Sequence, residues 1–184
     1  MPGLPPPPSR TLLHNRSIDL ACFERADGLF DVEAHLVDTK PFDLVLASDQ
    51  RKNAGYPIHD MRLRFTFDES LTIVDTAGVM DVPAHDSCTG ALPNYKALIG
   101  LRIGPGWVRA AFKRIARAEG CTHLSEMFTE IGTTVMQGMF GRANRDQRAG
   151  KPRDRSFAPS LVNSCFGWRE GGVIASRAED RDKG

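Results

Sequence analysis

Residues 17–36 read SIDLACFERADGLFDVEAHL, and this stretch decides the fold. Ile18, Leu20 and Cys22 alternate with polar neighbours such as Asp19, and Glu24 follows before the turn Ala26-Asp27-Gly28. Beyond it, Phe30, Val32, Ala34 and Leu36 alternate with Asp31, Glu33 and His35. Two period-two runs around an Asp-Gly turn predict a β-hairpin. Residues 61–74, MRLRFTFDESLTIV, repeat the pattern. Met61, Leu63, Phe65 and Phe67 alternate with Arg62, Arg64 and Thr66, then Asp68-Glu69-Ser70 turns the chain into a return strand from Leu71 to at least Val74. The two hairpins predict one antiparallel sheet with an apolar and a polar face. The stretch between them, Thr39 to Pro57, is loop-rich, with a short strand expected at Leu44 to Leu46.

The second half is helical in pattern. A short helix is expected from Pro93 to Ile99, ending at Gly100. Gly104-Pro105 opens another, with Val108, Phe112 and Ile115 inward and Arg109, Lys113 and Arg117 outward, and Gly120 ends it. A third runs from Thr122 to Met139 on the stripe Leu124, Phe128, Ile131 and Val135. Cys165 to Trp168 and Val173-Ile174 read as a last extended segment. Strands first and helices second predict an α+β fold, an antiparallel sheet of two hairpins packed against about three helices.

The expected organisation is a Pro-rich arm (1–16), one α+β domain (17–177) with a basic loop at 142–155, and a tail (178–184). The chain has 184 residues, 41% hydrophobic and 26% charged, with a formal charge of +1. That is globular composition, large enough to bury roughly 70% of its unfolded surface. No run reaches the roughly 18–20 apolar residues of a membrane span, and Met1-Pro2-Gly3 opens no signal peptide, so a cytoplasmic location is expected. The neutrality is a cancellation. Residues 1–92 carry 8 Lys+Arg against 14 Asp+Glu, and residues 93–184 carry 16 against 9. That split argues against nucleic acid as partner and for an anionic small molecule, or for contacts between subunits of a homo-oligomer.

Several groups of residues offer chemistry. Cys121 stands at an expected helix start, which favours thiolate, and His123, Glu126 and Glu130 follow within about 60° of one another on an ideal helix. A His with carboxylates suits acid–base work or metal ligation; a buried Cys beside a solvated polar face explains the same residues. His59 and Asp60 are adjacent, so a regular strand sends them to opposite faces; His59 shares a side with Met61, Asp60 with Arg62. His85, Asp86, Ser87 and Cys88 fall in a loop. Residues 98–107, LIGLRIGPGW, have the glycines but not the lysine of a phosphate loop, and read better as a tight connection over Trp107. The loop at 142–155 holds six Lys+Arg and two Asp, suited to steering an anion.

The stretches DGLFDVEAHLVDTKPFD, IHDMRLRFTFDESLTIVD, LIGLRIGPGWVRA, EGCTHLSEM and SCFGWREGG fall in order across residues 27–172. In them the chain resembles a bacterial family known as domain of unknown function 2889. The basic loop after the third helix is longer here than in that family. The resemblance implies a protein of bacteria that degrade aromatic and other recalcitrant carbon, hence a catabolic small-molecule enzyme. Read with the residues, it leads to a small acid–base C–C lyase without a cofactor, cleaving in retro-aldol fashion to release a small aldehyde such as formaldehyde. His59 or His123 is the expected base, with Glu126 to orient it and Asp60 in that role only if the loop–strand junction is irregular. Arg62, Arg64 or Arg102 is expected to hold negative charge, and Tyr56, Phe65 and Trp107 to form an aromatic wall. A looser similarity links the chain to iron–sulfur scaffold proteins, which also place a sheet before helices and a Gly-Cys at a helix start. That alternative implies zinc or a cluster on Cys88, Cys121 and Cys165, with His123 as a further ligand.

Overall fold

The computed structural model describes residues 4–47, 49–115, 118–151 and 161–182. The chain divides into two compact units, residues 1–135 and 136–184. In the first, β1 (Asn15–Glu24), β2 (Phe30–Thr39), β5 (Pro57–Phe67) and β6 (Ile73–Val82) form an antiparallel sheet in the order β1-β2-β5-β6. The expected short strand is Leu44–Val45 (β3), which pairs with Arg51–Lys52 (β4) as a separate two-stranded ribbon. Strands precede helices, so the fold is α+β.

Register explains the core. Val32, Ala34 and Leu36 of β2 stand opposite Phe65, Leu63 and Met61 of β5, and all six are buried. Burying each of the larger side chains is worth roughly 1.5–3 kcal/mol against leaving it in water. β6 reaches Val82, well beyond Val74. Its alternation is masked by Thr76, Ala77 and Gly78, and Gly78 has its own reason: a Cβ there would lie 2.8 Å from Leu92 Cδ2. Glycine lets the segment after β6 close onto the strand.

That segment is a run of 3-10 turns over Asp86–Leu98, longer and tighter than the expected helix from Pro93. The chain then crosses beside the start of β6. Gly100 N–H donates to Ile73 O, and Ile103 N–H to Leu71 O. Gly100 and Gly106 hold the left-handed φ values of +85° and +82° that this crossing requires.

Helix α1 (Trp107–Arg114) corrects the expected inner face. Trp107, Ala111 and Ile115 are buried, whereas Phe112 is 50% exposed. Gly132 makes the room, because a Cβ there would lie 2.5 Å from Trp107 Nε1. The third expected helix is two, α2 (Thr122–Glu126) and α3 (Phe128–Arg148), with an i→i−3 bond from Met127 N–H to Leu124 O at the break. Its stripe of Leu124, Phe128, Ile131 and Val135 is buried throughout.

In the second unit, α3 continues to Arg148, so residues 142–148 of the expected basic loop are helix; positions 152–155 lie outside the described residues. The expected extended segment is a 3-10 turn (Phe166–Trp168) and helix α4 (Val173–Asp182). Its Ala, Arg and Glu residues are good helix formers and outweigh two β-branched residues at the start. Among the described residues no helix is long and apolar enough to cross a membrane.

Candidate functional site

The inward row of the sheet is apolar until its last register, where it turns polar. Arg16 of β1 pairs with Asp38 of β2, and Asp38 pairs with His59 of β5. Three strands therefore place a guanidinium, a carboxylate and an imidazole side by side on the core face. β1 begins at Asn15, two residues inside the stretch expected to be a free arm, and this brings Arg16 into the sheet.

Asp38 is the hub, with 1% of its surface exposed. Arg16 Nε donates to its Oδ1 at 2.8 Å and Nη2 to its Oδ2 at 2.9 Å. His59 Nδ1 lies 2.9 Å from Oδ2, and His14 Nε2 lies 3.1 Å from Oδ1. Helix α2 closes the cluster from above. His123 lies against His59 with ring centres 3.8 Å apart and planes tilted by 37°, and its Nε2 is 4.0 Å from Asp38 Oδ2. Three positions on, Glu126 accepts from Arg16 Nη1 at 2.5 Å.

The charges follow from this geometry. Burial pushes the Asp38 carboxyl up, but Arg16 and His59 outweigh it and hold it below the usual carboxylate value. The Asp38 contact raises the Arg16 pKa above its ordinary value. His59 is pushed down by burial, against the pull of Asp38. His123 is pushed down by burial and by the neighbouring His59 and Arg16. At neutral pH the cluster is thus an ionised carboxylate bonded to one neutral imidazole, His59, with a second, His123, beside it. An ionised Asp38 accepts the Nδ1 proton of His59, so the lone pair is on Nε2.

His59 and His123 line a cavity of about 490 Å³ with His85, Ser87, Cys88, Asn94, Glu119, Cys121 and Thr122 among its walls. Residues 120–126 show why this end of the fold is built as it is. A Cβ on Gly120 would meet Ile115 Cγ2 at 2.7 Å, so only glycine closes the turn. Cys121 N–H donates to the buried Tyr95 hydroxyl at 3.1 Å, and that hydroxyl donates back to Cys121 O at 3.1 Å. Ser125 Oγ lies 3.1 Å from the same hydroxyl.

The other expected residues are elsewhere. Asp60 faces the opposite side of the sheet, 2.7 Å from His35 Nε2. Arg62 pairs there with Asp81, and Arg64 sits 3.7 Å from Glu33. Arg102 lies at the far end of the sheet, its Nε donating to Ser70 O. No Lys or Arg lines the cavity among the described residues, which corrects the expectation that these three arginines meet a substrate beside His59. Glu126 holds Arg16 rather than a histidine. Phe65 and Trp107 are core, meeting edge to face at 6.3 Å, and Tyr56 is 54% exposed beside Lys52, so they form no wall to the site.

Among the described residues the one group of three or more potential metal ligands within mutual reach is Asp38, His59 and His123. Arg16 already donates to both oxygens of that carboxylate. Cys88 and Cys121 line the cavity without joining such a group, and Cys165 belongs to the second unit.

The residues the sequence reading missed are Asp38, Arg16 and His14. Asp38 carried a signal, since it continues the inward series 30, 32, 34, 36 and is the first charge in it. Fold and site together define an α+β protein with a buried Asp–His pair whose histidine lines a cavity. The chain belongs to the family described as protein of unknown function (DUF2889), which matches residues 14–137, a span that holds the whole cluster. The match ends before residues 164–172, the last of the stretches in which the resemblance was read. No curated protein and no solved structure matches the chain.

Proposed function

We propose that the chain is an acid–base C–C lyase, cleaving a hydroxymethyl-bearing aromatic compound in retro-aldol fashion to release a small aldehyde such as formaldehyde. The observation that carries the acid–base part is the 2.9 Å contact between His59 Nδ1 and buried Asp38, at the edge of a cavity large enough for a single aromatic ring with its substituents. His59 Nε2 takes the substrate hydroxyl proton. The O–H pair forms the carbonyl of the aldehyde, the C–C bond breaks, and its electrons pass to the carbon the aromatic system stabilises. The proton then returns from His59 to that carbon.

Asp38 orients the ring and stabilises the imidazolium that forms. Arg16, tied to Glu126, keeps Asp38 ionised. Burial, with the charges of Arg16 and His14 nearby, disfavours a resting imidazolium on His59 and keeps the base free at neutral pH. Ser87 and Thr122 offer hydroxyl donors to charge that develops during the reaction. With no cationic side chain among its described walls, the cavity suits a substrate whose charge appears in the transition state over one that arrives charged. The choice of C–C cleavage among proton transfers rests on the family resemblance.

The test is formaldehyde release from a panel of aromatic compounds carrying a 2-hydroxyethyl or 1-hydroxypropan-2-yl side chain, in which the carbon next to the CH2OH group is benzylic. The His59→Gln variant is expected to lose on the order of 10²–10⁴-fold in kcat/KM. Full turnover by that variant overturns the reading.

A further inference from the structure

The lyase reading uses His59 and leaves the Cys121 thiol of the same cavity without a task. We propose that Cys121 is a nucleophile that adds reversibly to carbonyl compounds in this cavity, with His123 as its proton acceptor. Cys121 Sγ lies 3.9 Å from His123 Nδ1, and His123 Nε2 lies 4.0 Å from Asp38 Oδ2. A thiol beside an imidazole base on a cavity wall is the pairing that activates a nucleophile. Asp38 is bonded to His59 and reaches His123 only through its charge, which favours the imidazolium that takes the thiol proton.

The thiol is fixed in place from behind. Buried Tyr95 holds both the N–H and the C=O of Cys121, and Gly120 closes the turn where no side chain fits. A structural cysteine would need neither a histidine against its sulfur nor a place on a cavity wall, and Cys121 has both.

The ligand class is an aldehyde, a choice that rests on the lyase reading. The Cys121 Sγ–C bond forms as the carbonyl π pair moves to oxygen. The thiol proton passes to His123 Nδ1 and from there to that oxygen, giving a hemithioacetal. The reverse path returns free aldehyde and thiol, and no oxidant or reductant is consumed.

The experiment is alkylation of the intact protein by iodoacetamide at pH 7, followed residue by residue by peptide mass spectrometry. Exposed Cys165, in the second unit, is the internal reference. Cys121 is expected to react at least about tenfold faster than Cys165 although it is the less exposed of the two, and His123→Gln to remove that advantage. Millimolar formaldehyde or benzaldehyde is expected to slow Cys121 several-fold and leave Cys165 unchanged. Cys121 reacting no faster than Cys165, or both being slowed alike, overturns the proposal. The aldehyde arm needs no variant, so misfolding of His123→Gln does not blunt it. The two readings also fail separately. Loss of turnover in His59→Gln with a sluggish Cys121 leaves the lyase and removes the nucleophile; a fast, aldehyde-protected Cys121 with turnover untouched by His59→Gln does the reverse.

Discussion

Replacing Asp38 by Asn keeps the shape of the side chain and removes its charge, and the structure says what that disturbs. The two oxygens of Asp38 meet Arg16 twice, His59 once and His14 once. An amide offers one oxygen and one donor, so at least one of these donors faces another donor. Losing one partner of a fully buried ion pair costs about 3–5 kcal/mol. Arg16 is about a third exposed and keeps Glu126, so the expected loss is lower, about 2–3 kcal/mol. That corresponds to a fall in Tm of roughly 4–12 °C for a chain of this size. Catalysis should suffer separately. If the amide donates to His59 Nδ1, the proton of the ring moves to Nε2 and the base is lost, on the order of 10²–10⁴-fold in kcat/KM. Urea unfolding at pH 7.5 gives the stability, and formaldehyde release gives the rate. A variant that unfolds within about 0.5 kcal/mol of the parent, the range of ordinary surface substitutions, refutes the hub role of Asp38.

Three further outcomes follow from the same contacts. His59 and His123 are held below their ordinary 6.5, so below about pH 6.5 the unfolded chain binds more protons than the folded protein. Urea midpoints should therefore hold above pH 6.5 and fall as the pH drops from there, with His59→Gln flattening part of the slope; Asp38, held below 3.8, adds a second loss only at still lower pH. Gly132→Ala should destabilise by about 1–3 kcal/mol through overpacking against Trp107, whereas Gly141→Ala, with open space around it, should stabilise by about 0.5–1 kcal/mol; thermal melts of the pair check both. Tyr95→Phe should cost about 1–3 kcal/mol, since it strips the buried partner from Cys121 N–H, and an unchanged urea midpoint contradicts that role.

The hairpins were legible because alternation is a local signal, and the Asp27-Gly28 turn centres the pairing that sets Arg16 against Asp38. The neighbour of Asp38 on its other side was not legible. Seventeen residues of loop and ribbon separate β2 from β5, and nothing in them fixes which residue of β5 meets Asp38. Asp60, set on the opposite side from His59 by strand alternation, does partner a histidine, but it is His35 on the far face. In α1 the rows 107-111-115 and 108-112-115 both satisfy helical spacing. The small Ala111 concealed the true one, and the slot that Gly132 leaves for the indole decides it. The extension of α3 over the basic stretch was hidden by charge, which reads as loop although Arg and Gln are good helix formers.

The central claim is that burial keeps His59 neutral while Asp38 holds its proton on Nδ1, leaving the lone pair on Nε2. Long-range proton–nitrogen correlation spectra of ¹⁵N-histidine-labelled protein at pH 7 test it without any substrate. The account predicts a neutral His59 ring protonated on Nδ1, with that signal lost in Asp38→Asn. A ring protonated on Nε2, or one carrying both protons at pH 7, would contradict it.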